Sequence, residues 1–354
     1  DPMTIYREYI QNSTDGIDKA IKSGVIGAGV GVIHIIVDKH KRRIEVEDNG
    51  SGVSAEVAYN DLFDIGNSEK DYRENRGFRG IGRLGGLGLS SKLSFITSFA
   101  GESKKTIIEW DGDKFLDLLS IDNKKVETAI EVILAATQFR QEAEDADKHY
   151  FKVVLDGIYP QFNELLDENG VEYYLATVAP VDFDAQKFIH SKTINPEYKN
   201  AGKPIETYNV YLNNRKKPIY KQYRSAFKTG HQERSKKEDY IQQIEFFEGH
   251  KEDGTLLYKG WYGISNFYGS VNDKFMCGIR IRKGNILIGG ENTFSRFFSS
   301  EGDVANKWFI GEVHVYDPHL LPNAKRDDFE RNEAYEVLKK LLTIQNLFKI
   351  NPTY

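Results

Sequence analysis

The sequence predicts a mixed α/β protein with more than one domain. Its 354 residues exceed the usual length of a single domain and favour two or three. Helical and strand patterns alternate along the chain, which is typical of α/β and α+β proteins. The charge balance also changes near residue 180, from an acidic segment to a basic one. We therefore expect a first α/β sandwich domain over residues 1–181, a second α/β domain over residues 182–330 and a C-terminal helix over residues 331–354.

The first domain is predicted to begin with a helix over residues 4–22. Residues 30–37 are β-branched and apolar and residues 43–47 alternate, so these two segments are expected to form a hairpin. Residues 65–88 are rich in glycine and charge and are predicted to be mainly loop. Residues 124–139 suit either a helix or a strand. The other elements predicted here are helices at 55–64, 85–92 and 162–177, strands at 93–99, 106–110 and 150–155, and a loop at 140–149.

Strand patterns dominate the second domain, and a helical pattern ends it. The predicted strands are 207–212, 242–248, 257–264, 278–282, 285–288 and 309–315, and the predicted helix is 328–348.

Composition excludes several classes of protein. The single cysteine, Cys277, rules out an internal disulfide framework and a thiolate zinc cluster, and it fits a reducing compartment. No apolar run approaches 18 residues, so we expect no membrane-spanning helix. We therefore expect a cytoplasmic protein with no membrane partner. The net charge of −5 argues neither for nor against nucleic acid.

One segment is nevertheless strongly basic. Residues 215–237 hold nine Lys or Arg side chains and one acidic side chain, Glu233, with Tyr220, Tyr223 and Phe227 interleaved. Such a segment is either a solvated loop or hairpin, or a contact site for the phosphate backbone of a nucleic acid.

Three oxygen-bearing side chains share one face of the first predicted helix. Glu8, Asn12 and Asp15 are spaced i, i+4 and i+7, so they fall within about 60° of each other. Taken alone, this is an amphipathic helix with a solvated face, although such faces usually carry Lys or Arg as well. Asn and carboxylate oxygens are ligands that Mg²⁺ accepts, and a carboxylate that holds a water in line with a phosphate is a candidate general base.

A D-x-G-x-G motif, formed by Asp48, Gly50 and Gly52, follows the second predicted strand. It is not a calcium-binding helix-loop-helix site, because the ligand run and the distal Glu of that site are absent. It is either a tight turn with nothing bound or a binding turn. In the second case the Asp would accept a hydrogen bond from an amino donor such as adenine N6, and the glycines would let a flat ring approach the backbone.

Six of the twelve residues from Gly77 to Gly88 are glycine. Glycines at this spacing, running into a helix, expose backbone N–H groups that can surround phosphate oxygens. Residues 80–85 match G-x-G-x-x-G, but the charged residues 69–76 before them are not strand-like, so we reject a dinucleotide-binding interpretation. No G-x-x-x-x-G-K-[ST] sequence occurs, which excludes a P-loop.

In this order, the three motifs resemble those of the GHKL ATPases, the superfamily of gyrase, the ninety-kilodalton heat-shock chaperone, histidine kinases and MutL. The heat-shock chaperone is the most similar branch. Its helix pattern E-x-x-x-N-x-x-D-x-x-D-K is matched from Glu8 to Lys19, and its loop pattern G-x-x-G-x-G is matched by Gly77, Gly80 and Gly82. The sequence R-G-F-R-G at residues 76–80 instead resembles MutL.

The resemblance covers residues 4–110 and implies a Bergerat-fold domain that binds ATP with Mg²⁺. Glu8 would activate the attacking water, Asn12 would hold Mg²⁺, and Asp48 would hydrogen-bond the adenine amino group. A lid at about residues 62–88 would cover the nucleotide. The other implied nucleotide contacts are Asp15, Gly50, Gly52, Ser68, Lys70, Gly77, Phe78, Arg79, Gly80, Ile81, Gly82 and Thr97.

Residues 308–330 resemble the chaperone's middle domain, a ribosomal-protein-like α/β transducer. The family's spacing is kept by Trp308, Asp317, Leu321 and Pro322. The alignment makes Arg326 the implied catalytic cation, with Lys325 as the alternative, and Glu330 replaces the family's Gln. Without the resemblance, residues 325–328 are simply the mixed-charge start of a helix.

The architecture implied by the resemblance is a conformational clamp, in which ATP binding and slow hydrolysis drive lid closure and domain docking. The expected partners are a second copy, bound through the ATPase domain, and a protein client. Two alternatives remain: a nucleotide-gated DNA clamp resembling MutL or the MORC group, which would use residues 215–237, and a non-hydrolysing ATP-sensing scaffold.

Overall fold

The computed structural model describes residues 1–58, 81–118, 132, 135–230, 236–298, 302–323 and 325–342. Contacts divide the chain into two compact units. The first unit comprises Asp1–Leu175 and Tyr208–Ile219, and the second comprises Ala176–Thr207 and Tyr220–Tyr354. The chain therefore passes between the units three times.

The first unit contains a seven-stranded sheet with the strand order β5-β4-β3-β6-β2-β1-β7. All neighbouring pairs are antiparallel except β1 and β7, which are parallel. Strand β6 lies between β2 and β3, so the residues that begin β6 are close to the end of β2. The strands are β1 (Val32–Asp38), β2 (Arg43–Asp48), β3 (Ser90–Ser98), β4 (Lys104–Asp111), β5 (Thr137–Ala143), β6 (Tyr150–Ile158) and β7 (Asn209–Leu212).

One face of this sheet is apolar and is covered by helix α1 (Thr4–Lys22). Side chains alternate across a strand, so Ile44 and Val46 of β2 are buried, whereas Glu45 and Glu47, which alternate with them, are partly exposed. Further helical segments among the described residues of this unit include a 3₁₀ helix at Ile81–Gly88, α2 (Gly112–Leu118), a 3₁₀ helix at Pro160–Leu166, and α3 (Glu168–Val178), within which the chain leaves the unit.

Ion pairs cover the opposite face of the sheet. Lys152 of β6 contacts both Glu45 and Glu47 across the strand boundary, and Glu109 of β4 contacts Lys92 and an arginine of β5. These pairs are partly exposed, so each contributes little stability, but together they make this face hydrophilic. The helix-covered face is therefore the one on which a buried site can form.

The second unit is built on a five-stranded sheet with the order β10-β11-β14-β12-β13, together with a separate β8–β9 hairpin. Strands β12 and β14 are parallel, and the other pairs are antiparallel. The strands are β8 (Ala226–Thr229), β9 (Lys237–Tyr240), β10 (Gln243–His250), β11 (Leu256–Ile264), β12 (Gly278–Lys283), β13 (Ile286–Ile288) and β14 (Ile310–Val315). The helical segments are α4 (Ser191–Asn200), a 3₁₀ helix at Thr293–Phe297, α5 (Gly302–Asn306) and α6 (Glu333–Leu342).

Two apolar clusters form the core of the second unit. One is centred on Trp261 and Tyr223 and includes residues of α4. The other contains Phe294, Val313 and the buried side of α6. Each fully buried aromatic or aliphatic side chain contributes roughly 1.5–3 kcal/mol. The predicted fold class is confirmed: an α/β domain is followed by a further α/β unit.

Several local predictions were wrong, each for an identifiable reason. Residues 140–143 form an edge strand and not a loop; the edge position leaves them exposed and polar, so they carry no alternation signal. Residues 90–92 begin β3 and do not end a helix, because the helical segment after the glycines is a short 3₁₀ helix. Helix α4 was missed because Pro196 lies inside it.

Candidate nucleotide site

Helix α1 contacts two glycine-containing segments of the first unit. Tyr9 is fully buried, and its hydroxyl oxygen accepts a hydrogen bond from the backbone of Gly86 in the 3₁₀ helix. The carbonyl of Gly16 accepts a hydrogen bond of 3.2 Å from the backbone N–H of Ser51, in the D-x-G-x-G turn. Seven residues separate Tyr9 from Gly16, so about 10 Å of helix axis separates the two contacts.

The predicted polar face of α1 lies along this stretch. Asp15 is buried, whereas Glu8 and Asn12 keep partly exposed side chains. A carboxylate and an amide that remain accessible on this helix face are groups that can meet a phosphorylated ligand or its metal ion. Asp15 is buried and is therefore less accessible to a ligand than they are.

Asp48 is the last residue of β2 and continues the buried face of that strand. Its carboxyl group is hydrogen-bonded by the Ser13 side chain of α1, and its Oδ1 accepts a hydrogen bond of 2.9 Å from the backbone N–H of Gly50. The side chain is only 2% exposed. Burial raises the pKa of Asp48 to about 7, against the lowering effect of these hydrogen bonds.

Two glycines of the turn are required by close backbone approaches. A Cβ atom on Gly50 would lie 2.6 Å from the carbonyl carbon of Gly16, so α1 leaves no room for a side chain. Gly52 has a φ of +66°, and a Cβ atom there would lie 1.9 Å from the carbonyl oxygen of Ser98. The sequence expectation that glycines allow close approach at this turn therefore has a structural basis, although the approaching groups described here are protein backbone.

Thr97 and His149 hold the turn from the sheet side. The Thr97 hydroxyl accepts a hydrogen bond of 2.7 Å from the backbone N–H of Val53 and lies 3.2 Å from the carbonyl oxygen of Tyr150. The Nδ1 atom of His149 lies 2.9 Å from the carbonyl oxygen of Gly50. The structure thus places Thr97 beside the turn, with its hydroxyl engaged by the backbone; its implied contact with the nucleotide stays a prediction.

The structure brings Glu8, Asn12, Asp15, Asp48, Gly50, Gly52 and Thr97 into the first unit around α1 and the turn. Six predicted contacts lie outside the described residues: Ser68, Lys70, Gly77, Phe78, Arg79 and Gly80. Ile81 and Gly82 begin the 3₁₀ helix. The described part of the predicted lid, residues 81–88, is helical, and the rest of the lid also lies outside the described residues.

The predicted catalytic cations lie in the second unit. Arg326 is buried, has a φ of +59°, and forms backbone hydrogen bonds with Gly289 and Asn323. Lys325 beside it is exposed, and Glu330 is partly exposed. Lys325 is therefore the more accessible cation of the two in the described conformation.

The basic segment is divided between solvent and core. Tyr223 and Phe227 belong to the apolar core of the second unit, and the fully buried Lys221 pairs with Glu312 at 2.8 Å. Arg215, which lies in the first unit, pairs with two glutamates of α3. These side chains are therefore structural, although the segment also contains exposed lysines.

Sequence reasoning missed three residues of the site: Ser13, Gly16 and His149. Ser13 and Gly16 are unremarkable within a helical pattern, and His149 is the last residue of the polar segment 140–149, which was predicted to be a loop. Only the pairing of β6 with β2 places His149 at the turn, so no local signal could have identified it.

Residues 4–143 match the family model described as histidine kinase-, DNA gyrase B-, and HSP90-like ATPase. The match starts at the first residue of α1 and ends with β5. It supports the predicted GHKL-type ATPase domain and indicates ATP binding and hydrolysis. No curated relative matches the chain.

Two further observations concern membrane-crossing helices and metal clusters among the described residues. Among them, no helix is both long and apolar enough to cross a membrane. No group of three or more His, Cys, Asp or Glu side chains in the described ranges is placed to hold a metal ion. A protein-only metal cage is therefore absent from that part of the chain, whereas Mg²⁺ typically uses only one or two protein ligands together with substrate phosphates.

Proposed function

We propose that this protein is a Mg²⁺-dependent ATPase that works as a nucleotide-driven conformational clamp. The observation that carries the proposal is the buried Asp48 carboxyl, which accepts hydrogen bonds from Ser13 of α1 and from the Gly50 N–H. Glu8 and Asn12 precede Ser13 on the same helix. A carboxyl group in this position can accept a hydrogen bond from the amino group of adenine. The match of residues 4–143 to an ATPase family supports the same assignment.

Three residues of α1 have distinct proposed roles. Glu8 accepts a proton from the attacking water, and Asn12 supplies an oxygen ligand to Mg²⁺. The amide oxygen of Asn12 and the phosphates of the substrate fit the preference of Mg²⁺ for oxygen donors. When bound, Mg²⁺ supplies charge neutralisation of the phosphates. Asp15 supports the turn from below, since it is buried.

The second unit is proposed to supply a cation for the phosphates. Lys325 is the better candidate than Arg326 in the described conformation, because Lys325 is exposed and Arg326 is buried. A cation that arrives only when nucleotide is bound would couple the nucleotide state to the orientation of the second unit. In this proposal, lid closure also favours a homodimer through the ATPase domain, and a protein client responds to the cycle in the cytoplasm.

Replacing Glu8 by Ala tests the hydrolytic role. Removal of a general base is expected to lower kcat by about 10²–10⁴-fold while the dissociation constant for ATP stays within about threefold. Phosphate release and calorimetric titration with ATP and Mg²⁺ give the two quantities. The control is Glu164→Ala, which removes an exposed carboxylate from the same unit. Normal turnover in Glu8→Ala would show that Glu8 is not the base, and tight binding without turnover in the unaltered protein would favour the ATP-sensing scaffold.

A second candidate function is a nucleotide-gated clamp on nucleic acid. The β8–β9 hairpin and the loop near it expose Arg224, Lys228 and Lys237, and they also expose Tyr240 and Tyr268 by 55% and 52%. The Lys237 ammonium lies 5.0 Å from the centre of the Tyr268 ring. Exposed cations beside exposed aromatic rings favour single-stranded nucleic acid, which offers phosphates and unstacked bases.

The pair of substitutions Lys228→Glu and Lys237→Glu tests this second function. If the hairpin contacts phosphates, the slope of log affinity for single-stranded DNA against log salt should flatten by about 1.4. The control pair, Lys192→Glu and Lys199→Glu, changes the charge equally on exposed positions of α4. If both pairs weaken the affinity for single-stranded DNA equally, the effect is one of overall charge, and the hairpin is not the contact site.

A further inference from the structure

His149 holds the backbone of the D-x-G-x-G turn through a side-chain hydrogen bond. His149 lies immediately before β6, and the register of the sheet places Phe151 opposite Asp48. His149 is therefore two residues from the strand position that faces the proposed adenine-binding carboxylate. Its side chain is partly buried, and its Nδ1 atom lies 2.9 Å from the carbonyl oxygen of Gly50.

The chemistry of this contact fixes the direction of the hydrogen bond. A carbonyl oxygen can only accept, so Nδ1 must carry the proton and donate it. Both the neutral imidazole protonated at Nδ1 and the imidazolium satisfy this requirement. The contact consequently persists in either charge state of His149.

The Gly50 residue is held on both sides of its α-carbon. Its N–H donates to Oδ1 of Asp48 at 2.9 Å, and its carbonyl group accepts from His149. On a third side Gly50 abuts Gly16 of α1, so closely that a Cβ atom would overlap it. The N–H of Ser51, in the same peptide group as the Gly50 carbonyl, donates to the Gly16 carbonyl at 3.2 Å, so His149 supplies one of two hydrogen bonds on that peptide. Because glycine has wide backbone freedom, loss of the His149 bond should loosen Gly50 and the N–H that it donates to Asp48.

We propose that His149 is a positioning residue for adenine recognition: by fixing the Gly50 carbonyl, it orients the Asp48 carboxyl toward the base. This inference rests on the proposed function, since it assumes that Asp48 binds the base. His149 itself touches neither the phosphates nor the attacking water in this assignment. Its loss should therefore weaken base recognition and leave the chemical step unchanged.

Two substitutions separate positioning from simple packing. His149→Leu removes the donor and keeps an apolar side chain of moderate size. His149→Asn can place an amide N–H on the γ-branch, where Nδ1 of the histidine lies, and so can restore the hydrogen bond. His40→Leu is the control, because His40 is exposed in the turn between β1 and β2, at the opposite end of β2 from Asp48.

The measurements are the dissociation constants of ATP and GTP, by calorimetry with Mg²⁺, and kcat at saturating ATP. We expect His149→Leu to weaken ATP binding by about tenfold, the equivalent of one net hydrogen bond, with kcat within about twofold of the unaltered protein. The preference for ATP over GTP should fall by a similar factor. We expect His149→Asn to recover most of both losses and His40→Leu to show neither.

Different failures have different meanings. If the unaltered protein binds no ATP, the proposed function is wrong. If it binds ATP and His149→Leu binds both nucleotides as the unaltered protein does, His149 has no positioning role. If His149→Leu and His149→Asn lose affinity and kcat together with unchanged base preference, His149 serves packing alone and the inference is overturned.

Discussion

At the scale of single residues, the site depends on a carboxyl group in an unfavourable environment. Asp48 occupies an inward position of β2, the next in the series formed by Ile44 and Val46. Burying a carboxylate there costs free energy that the hydrogen bonds from Ser13 and Gly50 only partly offset, which is why the pKa of Asp48 rises to about 7. Residues kept for binding are often placed at the expense of stability in this way.

Asp48→Asn tests whether the buried Asp48 carboxyl lowers the stability of the protein, through the pH dependence of the free energy of unfolding. Because the folded-state pKa is raised above the unfolded value, the folded protein binds more protons between about pH 4 and pH 7, and its stability falls as pH rises through that window. Asn does not titrate. From pH 5 to pH 8, the free energy of unfolding of the unaltered protein should therefore fall by about 2–3 kcal/mol relative to the variant.

Urea denaturation of both proteins at several pH values, without nucleotide, gives this difference directly. A constant offset from lost hydrogen bonds does not affect the comparison, since only the slope with pH matters. Parallel stability curves would show that Asp48 is ionised in the folded state at low pH. The same variant should also lose ATP binding by calorimetry.

At the scale of elements, a group of buried charges joins β12 and β14 of the second unit. Glu312 of β14 accepts hydrogen bonds from Arg282 of β12 and from Lys221, and all three side chains are at most 1% exposed. The two cations hold the pKa of Glu312 well below its usual range. Burial and the charge of Arg282 lower the pKa of Lys221 to about 7, because one carboxylate serves two cations.

Two buried cations share one carboxylate, so two nearly isosteric substitutions should lower the free energy of unfolding by different amounts. Glu312→Gln leaves both cations buried without a counter-charge and should cost about 3–5 kcal/mol. Lys221→Met leaves Glu312 paired with Arg282 and should cost less than about 2 kcal/mol. The free energy of unfolding at pH 7, from urea titration, distinguishes them. A larger loss in Lys221→Met than in Glu312→Gln would contradict this account.

At the scale of the whole molecule, the chain passes three times between two units. Strand β7 is sequentially remote from the rest of its sheet, and it pairs with β1 from Val32↔Asn209 to Ile35↔Leu212. The segment Tyr208–Ile219, which contains β7, is preceded and followed by residues of the second unit. The units are thus joined covalently at three points of the chain. In the proposed mechanism, these connections transmit the effect of a nucleotide bound to the first unit to the conformation of the second.

The proposed coupling predicts that substitutions at Lys325 and at Arg326 have different effects, one on kcat and the other on stability. Lys325→Ala should lower kcat by at least about tenfold with little change in ATP affinity or in the unfolding temperature, because an exposed cation contributes to the reaction and not to the fold. Arg326→Ala should instead lower the unfolding temperature, because its side chain is buried. Phosphate release and calorimetric unfolding measure the two effects. The opposite pattern would assign the cation to Arg326.

Much of the fold was predictable because its signals are local. The periodicity of α1, the alternation of β2 and the apolar run of β1 each arise from neighbouring residues, and all three elements appear within two residues of their predicted limits. Strand β5 and helix α4 were not predictable, because an exposed edge strand needs no apolar face and α4 tolerates Pro196.

Local spacing alone predicts the chemical character of the proposed site: Glu8 and Asn12 share one face of a helix, and Asp48 begins a glycine-containing turn. Which groups support that chemistry depends on the tertiary fold. Sheet pairing in the first unit brings His149 to Gly50 across 99 positions of sequence. In the second unit, the fold buries Arg326 and leaves the adjacent Lys325 exposed. This difference arises because helix periodicity and turn chemistry depend on adjacent residues. Burial and the pairing of strands depend instead on how remote parts of the chain pack together.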